Sequence, residues 1–160
     1  MTAIDYQISR RSPAPPRVAD EFVLELRTRA ARNPELPIRP LTGPEVAVAV
    51  RYALEEDLDL PLDLSAMKRV VIDPVERTAR VQPGVTLAEV EQAAFHWGLA
   101  PLGDRHGLVL ANLIAAHVVL PDGELVQADA ELLREIRTGR ALGLVVDATY
   151  RLHFAAELQR

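Results

Sequence analysis

The sequence is 160 residues long, 49% hydrophobic and 26% charged, with a formal net charge of −5. That is one ordinary domain's worth of chain, able to bury a core without disulfide or metal staples. It has no cysteine, which excludes disulfide frameworks, thiolate zinc sites and thiol nucleophiles, and its acidic balance removes the electrostatic reason to expect nucleic acid.

No apolar run approaches the roughly 20 residues of a membrane span, and Met1 to Arg11 lacks the apolar centre of a secretory leader. The expectation is a cytoplasmic protein with neither a membrane nor a nucleic acid as partner. Residues 1–17, ending in Ser12-Pro13-Ala14-Pro15-Pro16, read as a stiff, extended lead-in, and 18–160 as a single domain. Val18 to Arg32 mixes Val18, Phe22, Leu24 and Leu26 with charges in an amphipathic helix that Asn33-Pro34 ends. Leu36 to Leu41, with two prolines, reads as an edge strand.

Thr42-Gly43-Pro44-Glu45 has capping-box spacing and opens a helix to about Glu56, with Val46, Ala49, Val50, Ala53 and Leu54 on its inner face. Leu60 to Leu64 alternates weakly, and the carboxylates Asp57 and Asp59 read as a solvated helix end. Val70-Val71-Ile72 and Ala79-Arg80-Val81 are β-type runs joined by a turn through Asp73-Pro74 to Thr78. Pro83-Gly84 breaks the second run. Thr86-Leu87-Ala88-Glu89 is another capping box, and its helix runs to about Trp97, where Gly98 stops it.

Leu113 to Leu120 is a near-continuous apolar strand. Pro121-Asp122-Gly123-Glu124 is a hairpin turn, and Leu125-Val126-Gln127 returns. Ala130 to Arg137 is a short helix, and Leu142 to Phe154 a long strand. The mixed order predicts an α+β domain, with helices packed on a mostly antiparallel sheet.

Several of these segments resemble one family in order and spacing. They are Arg39-Pro40-Leu41-Thr42 with Glu45 to Ala53; Leu62-Asp63-Leu64-Ser65 to Val70; and Asp73-Pro74 through Val81-Gln82-Pro83-Gly84-Val85-Thr86-Leu87. Further on come Arg105-His106-Gly107-Leu108, Asn112 to Gly123, and Leu132 to His153. Together they span about residues 36–154 and resemble the FAD-binding domain of the para-cresol-methylhydroxylase type of FAD-linked oxidases, which includes berberine-bridge-like enzymes.

The resemblance also marks what differs. The family carries a glycine-rich loop, between the strand after its first helix and the "DLS" segment, whose backbone surrounds the FAD pyrophosphate and whose histidine can carry the flavin. Here Asp57-Leu58-Asp59-Leu60-Pro61-Leu62 runs directly into Asp63-Leu64-Ser65. A second glycine-rich stretch, after the helix that follows the "PG" turn, is replaced by Leu99 to Asp104, and the run before the last strand is reduced to Gly139-Arg140-Ala141-Leu142-Gly143. None of the eight glycines adjoins another. The family's large substrate domain is not expected within this length. A pyrophosphate needs converging backbone N–H donors, and glycine lets them approach closely. The expectation is a truncated, degenerate flavin domain with no cofactor: a pseudoenzyme-like binder of a partner or small ligand, forming a homodimer or other oligomer over apolar surface that the flavin and second domain would have covered. Two alternatives stay open: a small or split FAD-dependent oxidoreductase, and a cofactor-free isomerase or cyclase using the vacated cavity.

No catalytic residue is assigned. Asp104, Arg105 and His106, in the cluster Gly103 to Gly107, are weak acid–base candidates, and the favoured reading there is a solvated turn. Residual nucleotide binding would involve Gly143, Leu144 and Val145, although a loop and core strand is preferred. His117 is expected to face solvent or find one partner. His96 lies at a helix end, where the dipole suits it, and His153 is given no role. The four histidines share no ligand spacing, so no metal site is expected.

Overall fold

The computed structural model describes residues 18–104 and 107–159; the proline-rich lead-in lies outside them. Helix α1 (Asp20–Arg32) places Asp20 and Glu21 in its first turn and Arg29 and Arg32 in its last, matching the helix dipole at both ends. Its buried contact is Leu26, which packs with Ile38 and with Ala49 of α2 (Gly43–Glu55). Leu24, expected on the apolar stripe, is exposed, because a helix with one buried position lies along its neighbour rather than beneath it.

Thr42 caps α2 by accepting from Glu45 N at 3.3 Å. The box is not reciprocal: the Glu45 carboxylate accepts from Leu41 N at 2.7 Å, one residue further back. Val46 and Ala47 pack against Met67, Val119 and Val146. Leu54, expected on this face, is exposed. Eight residues beyond Val46 the helix has turned roughly 80° off the stripe.

The strands are β1 (Val70–Asp73), β2 (Thr78–Val81), β3 (Leu99–Pro101), β4 (Gly103–Asp104), β5 (Gly107–Leu108), β6 (Leu113–Val119), β7 (Leu125–Gln127) and β8 (Leu144–Phe154). The main sheet runs β1-β2-β8-β6-β7, with β3 also pairing β8, and every pair in it is antiparallel. Between Leu87–Phe95, which is α3, and the sheet, Val90 and Ala94 bury against Ala79, Val81, Leu99 and Leu152. Thr86 caps α3 with a full capping box. Helices α4 (Ala130–Arg137), capped by Asp129 through Leu132 N, and α5 (Ala155–Leu158) complete the described chain.

Leu36 to Leu41 is not a strand. It makes a single parallel bridge, Ile38 to Leu62, in which Ile38 N donates to Pro61 O and Asp63 N donates to Ile38 O at 2.9 Å each. The next ladder bonds would need N–H groups at Pro40 and Pro61, and neither has one, so the ladder cannot extend on either side of Ile38. The last strand starts at Leu144 rather than Leu142, because Gly143 takes φ +113°. Strands β3, β4 and β5 are two or three residues long, too short to show a period-2 pattern.

The family-like turn at Gly84 has a steric cause. A Cβ there would lie 2.2 Å from Ser65 O and 2.9 Å from Met67 O, and Gly84 N donates to that Met67 carbonyl at 2.9 Å. Gly84→Ala is expected to lower stability by about 1–3 kcal/mol through overpacking against backbone, read as a lower urea midpoint. An unchanged midpoint would mean that the Asp63–Met67 segment moves aside freely.

Candidate functional site

Strand β2 follows β8 through the pair Val81↔Ala148. Pro83-Gly84 then carries the chain away, while β8 continues along β6 to Leu144. The two strands therefore fork, leaving Val145, Val146 and Asp147 with β6 on one side and an opening on the other. The fork holds a cleft of about 690 Å³. Val81, Pro83, Val85 and Leu87 form one wall, Leu108 to Ala111 another, and Val145, Ala148 and Tyr150 the floor. Gln82 braces the fork: its Nε2 donates to Leu41 O at 3.3 Å and its Oε1 accepts from Arg69 N at 2.9 Å. Burial pushes the Tyr150 phenol up from its usual range.

Asp147 lines this cleft and also a smaller cavity of about 240 Å³ with Arg69, Val71, Arg80, Val81 and Gln82. Its side chain is 15% exposed, so it needs partners. Arg80 donates to Oδ2 at 2.8 Å, and His117 Nδ1 lies 2.8 Å from Oδ1. An ionised carboxylate only accepts, so Nδ1 carries the proton in this contact. Burial pushes the Asp147 carboxyl up, but the hydrogen bonds from Arg80 and His117 and their charges together hold it below the usual carboxylate range. The same hydrogen bond raises Arg80 against its own desolvation.

The positions singled out in the sequence fall as follows. At Gly103 to Gly107, Gly103 pairs with Leu108 and Asp104 with Gly107, and Gly103 and Asp104 are exposed. Gly103 packs on α3, since a Cβ there would lie 2.3 Å from the Leu87 side chain. Asp104 is exposed and lines the cleft; Arg105 and His106 lie outside the described residues. At the other candidate stretch, a Cβ on Gly143 would meet Val119 O at 2.6 Å. Leu144 packs into the α2 cluster, and Val145 lines the cleft.

His117 finds its partner in Asp147. His96 is exposed at the end of α3, edge-on to Trp97 at 5.3 Å. His153 Nε2 is buried with no hydrogen-bond partner among the described residues. Among the described residues no group of three or more His, Cys, Asp or Glu side chains could hold a metal, and no helix is long and apolar enough to cross a membrane. Sequence reasoning missed Arg80 and Asp147. The available signal was an acidic residue inside an apolar strand, which demands a cation on a neighbouring strand.

Between α2 and β1 several backbone donors are taken up within the chain. Leu58 N donates to Ala53 O at 2.8 Å, Asp63 N to Ile38 O at 2.9 Å, Ser65 N to Asp63 Oδ1 at 3.0 Å and Met67 N to Leu64 O at 3.0 Å. Asp57 and Asp59 are exposed here, and Asp63 pairs with Arg39 at 3.2 Å. The hydrogen bonds from Ser65 hold the Asp63 carboxyl below its ordinary range.

No protein-family model matches the chain. It is 31% identical to an FAD-linked oxidoreductase of Aspergillus terreus, over 58% of this chain and 23% of that protein. It is 26% identical to an FAD-linked oxidoreductase of Dictyostelium discoideum, over 76% of this chain and 36% of that one. The chain thus spans about a quarter to a third of the length of these curated relatives. Among solved structures, 6-hydroxy-D-nicotine oxidase from Arthrobacter nicotinovorans superposes with a TM-score of 0.65 at 21% identity, covering 77% of this chain and 38% of that one. A berberine bridge enzyme variant superposes with a TM-score of 0.63 at 19% identity, covering 88% and 40%.

Asp147 couples stability to pH. Its folded carboxyl titrates below its unfolded value of about 3.9, so its contribution is present at neutral pH and lost as the pH falls through the lowered value. Asp147→Asn is expected to cost ~1–3 kcal/mol at neutral pH, with the gap from the wild type closing in strong acid. Urea unfolding at both pH values measures this, and a gap of the same size in acid would disprove the coupling.

Proposed function

Because this chain is a homologue of the FAD-linked oxidoreductases and shares the fold of a berberine bridge enzyme, we propose that it is a flavin-domain relative that has given up its flavin. It uses the cleft at the β2–β8 fork to hold a small apolar ligand. The observation that carries this is the α2–β1 connection. A pyrophosphate with two negative charges needs converging free N–H groups. The family resemblance locates those donors between α2 and Asp63. There, the N–H groups of Glu56, Asp57 and Leu58 donate within the chain, Pro61 has no N–H, and Asp57 and Asp59 present carboxylates. These residues do not fit the group. The cleft supports the ligand-binding side of the reading. A concave, mainly apolar site of about 690 Å³ with a few polar groups is of the size and character that small molecules occupy.

The same proposal includes a covering partner, either a second copy or another protein. Phe95, Trp97, Phe154 and Leu158 are exposed. Phe154 pairs with Leu99, and Ala155 N donates to Gly98 O, so these residues sit on neighbouring segments at one end of the sheet. Apolar surface of this kind favours burial between chains. The alternative, a flavin site completed by a second chain, is favoured by the kinship with FAD-linked oxidoreductases.

The purified protein, incubated with excess FAD, is expected to show no visible flavin band after desalting and no flavin mass in native mass spectrometry, which also reports its oligomeric state. It is expected to bind an anilinonaphthalene dye, and Ala111→Trp, which adds bulk at the exposed cleft wall, is expected to weaken that binding about tenfold. Stoichiometric flavin would overturn the proposal, and dye binding indifferent to Ala111→Trp would move the ligand elsewhere.

A further inference from the structure

Strand β1 ends the main sheet: β2 lies on one side, and no strand pairs with the other edge among the described residues. Gln82 N donates to Arg69 O at 3.0 Å, and Leu152 N donates to Arg77 O at 2.8 Å. Backbone groups alternate in direction along an antiparallel strand. Both bonds fix the same phase: Arg69, Val71 and Asp73 turn their N–H and C=O groups to β2, and Val70 and Ile72 turn theirs outward. The outward groups have no partner among the described residues. We infer that this edge pairs with the same edge of a second copy of the chain, antiparallel and centred on Val71, so that the sheet continues across a two-fold axis. This surface is distinct from the exposed apolar residues around Phe154, and the inference does not depend on the cleft or its ligand.

The side chains select the register. With Val71 opposite its own copy, Val70 lies opposite Ile72 of the second copy, and each such pair exchanges N–H···O bonds. Arg69 then lies opposite Asp73 of the second copy, and Asp73 opposite its Arg69. Each contact occurs twice, as a two-fold axis requires. Arg69 makes no ion pair with another described residue. Asp73 accepts from Val75 N and Glu76 N with Oδ1 alone, at 3.0 Å each, which leaves Oδ2 for a cation. Arg80, the β2 neighbour of Val71, is committed to Asp147. Val71 is 44% exposed, and this contact would cover it. A slip of two residues towards the turn would set Val70 against Pro74, which has no N–H. A slip the other way would set Arg69 against Val71 and lose the charge pair. Charged residues and proline on an edge discourage indiscriminate pairing. Here Arg69 and Asp73 are complementary in one arrangement, and opposite charges facing across an antiparallel pair stabilise it where like charges oppose it.

The full chain is expected to dimerise with rising concentration in sedimentation velocity, since so short a contact is small. The amides of Val70 and Ile72 should exchange with deuterium more slowly in the dimer than in the monomer. Arg69→Glu sets like charges opposite at both ends and should weaken the dimer at least about tenfold, as should Asp73→Lys. An equimolar mixture of these two variants should associate as the wild type does, because each mixed dimer carries opposite charges at both ends. Asp73→Lys also removes a turn acceptor. If circular dichroism shows it unfolded, Asp73→Asn, which keeps that acceptor, takes its place and should weaken the dimer by less than Arg69→Glu. A chain that stays monomeric throughout overturns the inference, and so does a mixture of folded variants that fails to associate. A dimer indifferent to Arg69→Glu, with Val70 and Ile72 exchanging as in the monomer, also overturns it and moves the contact to another surface, while the cleft reading stands.

Discussion

The ladder between β2 and β8 closes over four residue pairs and ends at Val81↔Ala148. Beyond that pair the Pro83-Gly84 turn must pass over the Asp63–Met67 segment, and Gly84 is pressed so closely on it that there is no room for a side chain. The turn cannot rise to continue the ladder, and Pro83 brings no N–H with which to do so. The fork, the cleft within it and the second cavity beside it all follow from this stop. So does the placing of α3, since the capping box at Thr86 opens the helix three residues after Pro83.

A fork in a sheet leaves unpaired strand edge, and here the stretch of β8 that β2 no longer covers carries a carboxylate. Asp147 is buried enough that its desolvation is the largest single influence on it. It stays charged because β2 supplies Arg80 from one side and β6 supplies His117 from the other. Three strands are thereby tied across one face by side chains at the level where backbone bonds between two of them have stopped. The ion pair is partly open to water on the Arg80 side, where screening limits its strength. Its structural role is to fix the guanidinium and imidazole in place.

Much of the architecture was legible because it is written in local chemistry. Asp73-Pro74 and Pro121-Asp122-Gly123 mark their turns, Thr86 with Glu89 marks a helix start, and α4 falls on Ala130–Arg137 as its pattern predicts. The family resemblance rests on the same segments, and the fold agrees with it. What was not legible depends on neighbours distant in the chain. The contact of Arg80 with Asp147 spans 67 positions, and that of His117 with Asp147 spans 30. No spacing rule links such residues. Leu36 to Leu41 shows the opposite failure: its composition suits an edge strand, but the prolines leave only Ile38 able to pair. Of the weak acid–base candidates, Asp104 reaches the cleft because the short β4–β5 ladder folds it there, an arrangement too brief to leave a pattern.

Strand β8 also changes phase along its length. His117 pairs with Asp147 and Val118 with Val145, so Val146 is an extra residue on its side; near the other end, Ile114 is the extra residue on β6. Through the extra residue at Val146 a single strand serves two cores, sending Val146 to the α2 cluster and Leu152 to the α3 cluster. Such a strand tolerates exchange of one apolar residue for another far better than a change in its number of residues. Removing one residue between Leu144 and Ala148 would swap the sides on which the following or preceding residues emerge, setting Asp147 against a core or Val146 against water. Across diverging sequences, the length of this stretch should therefore drift more slowly than its composition.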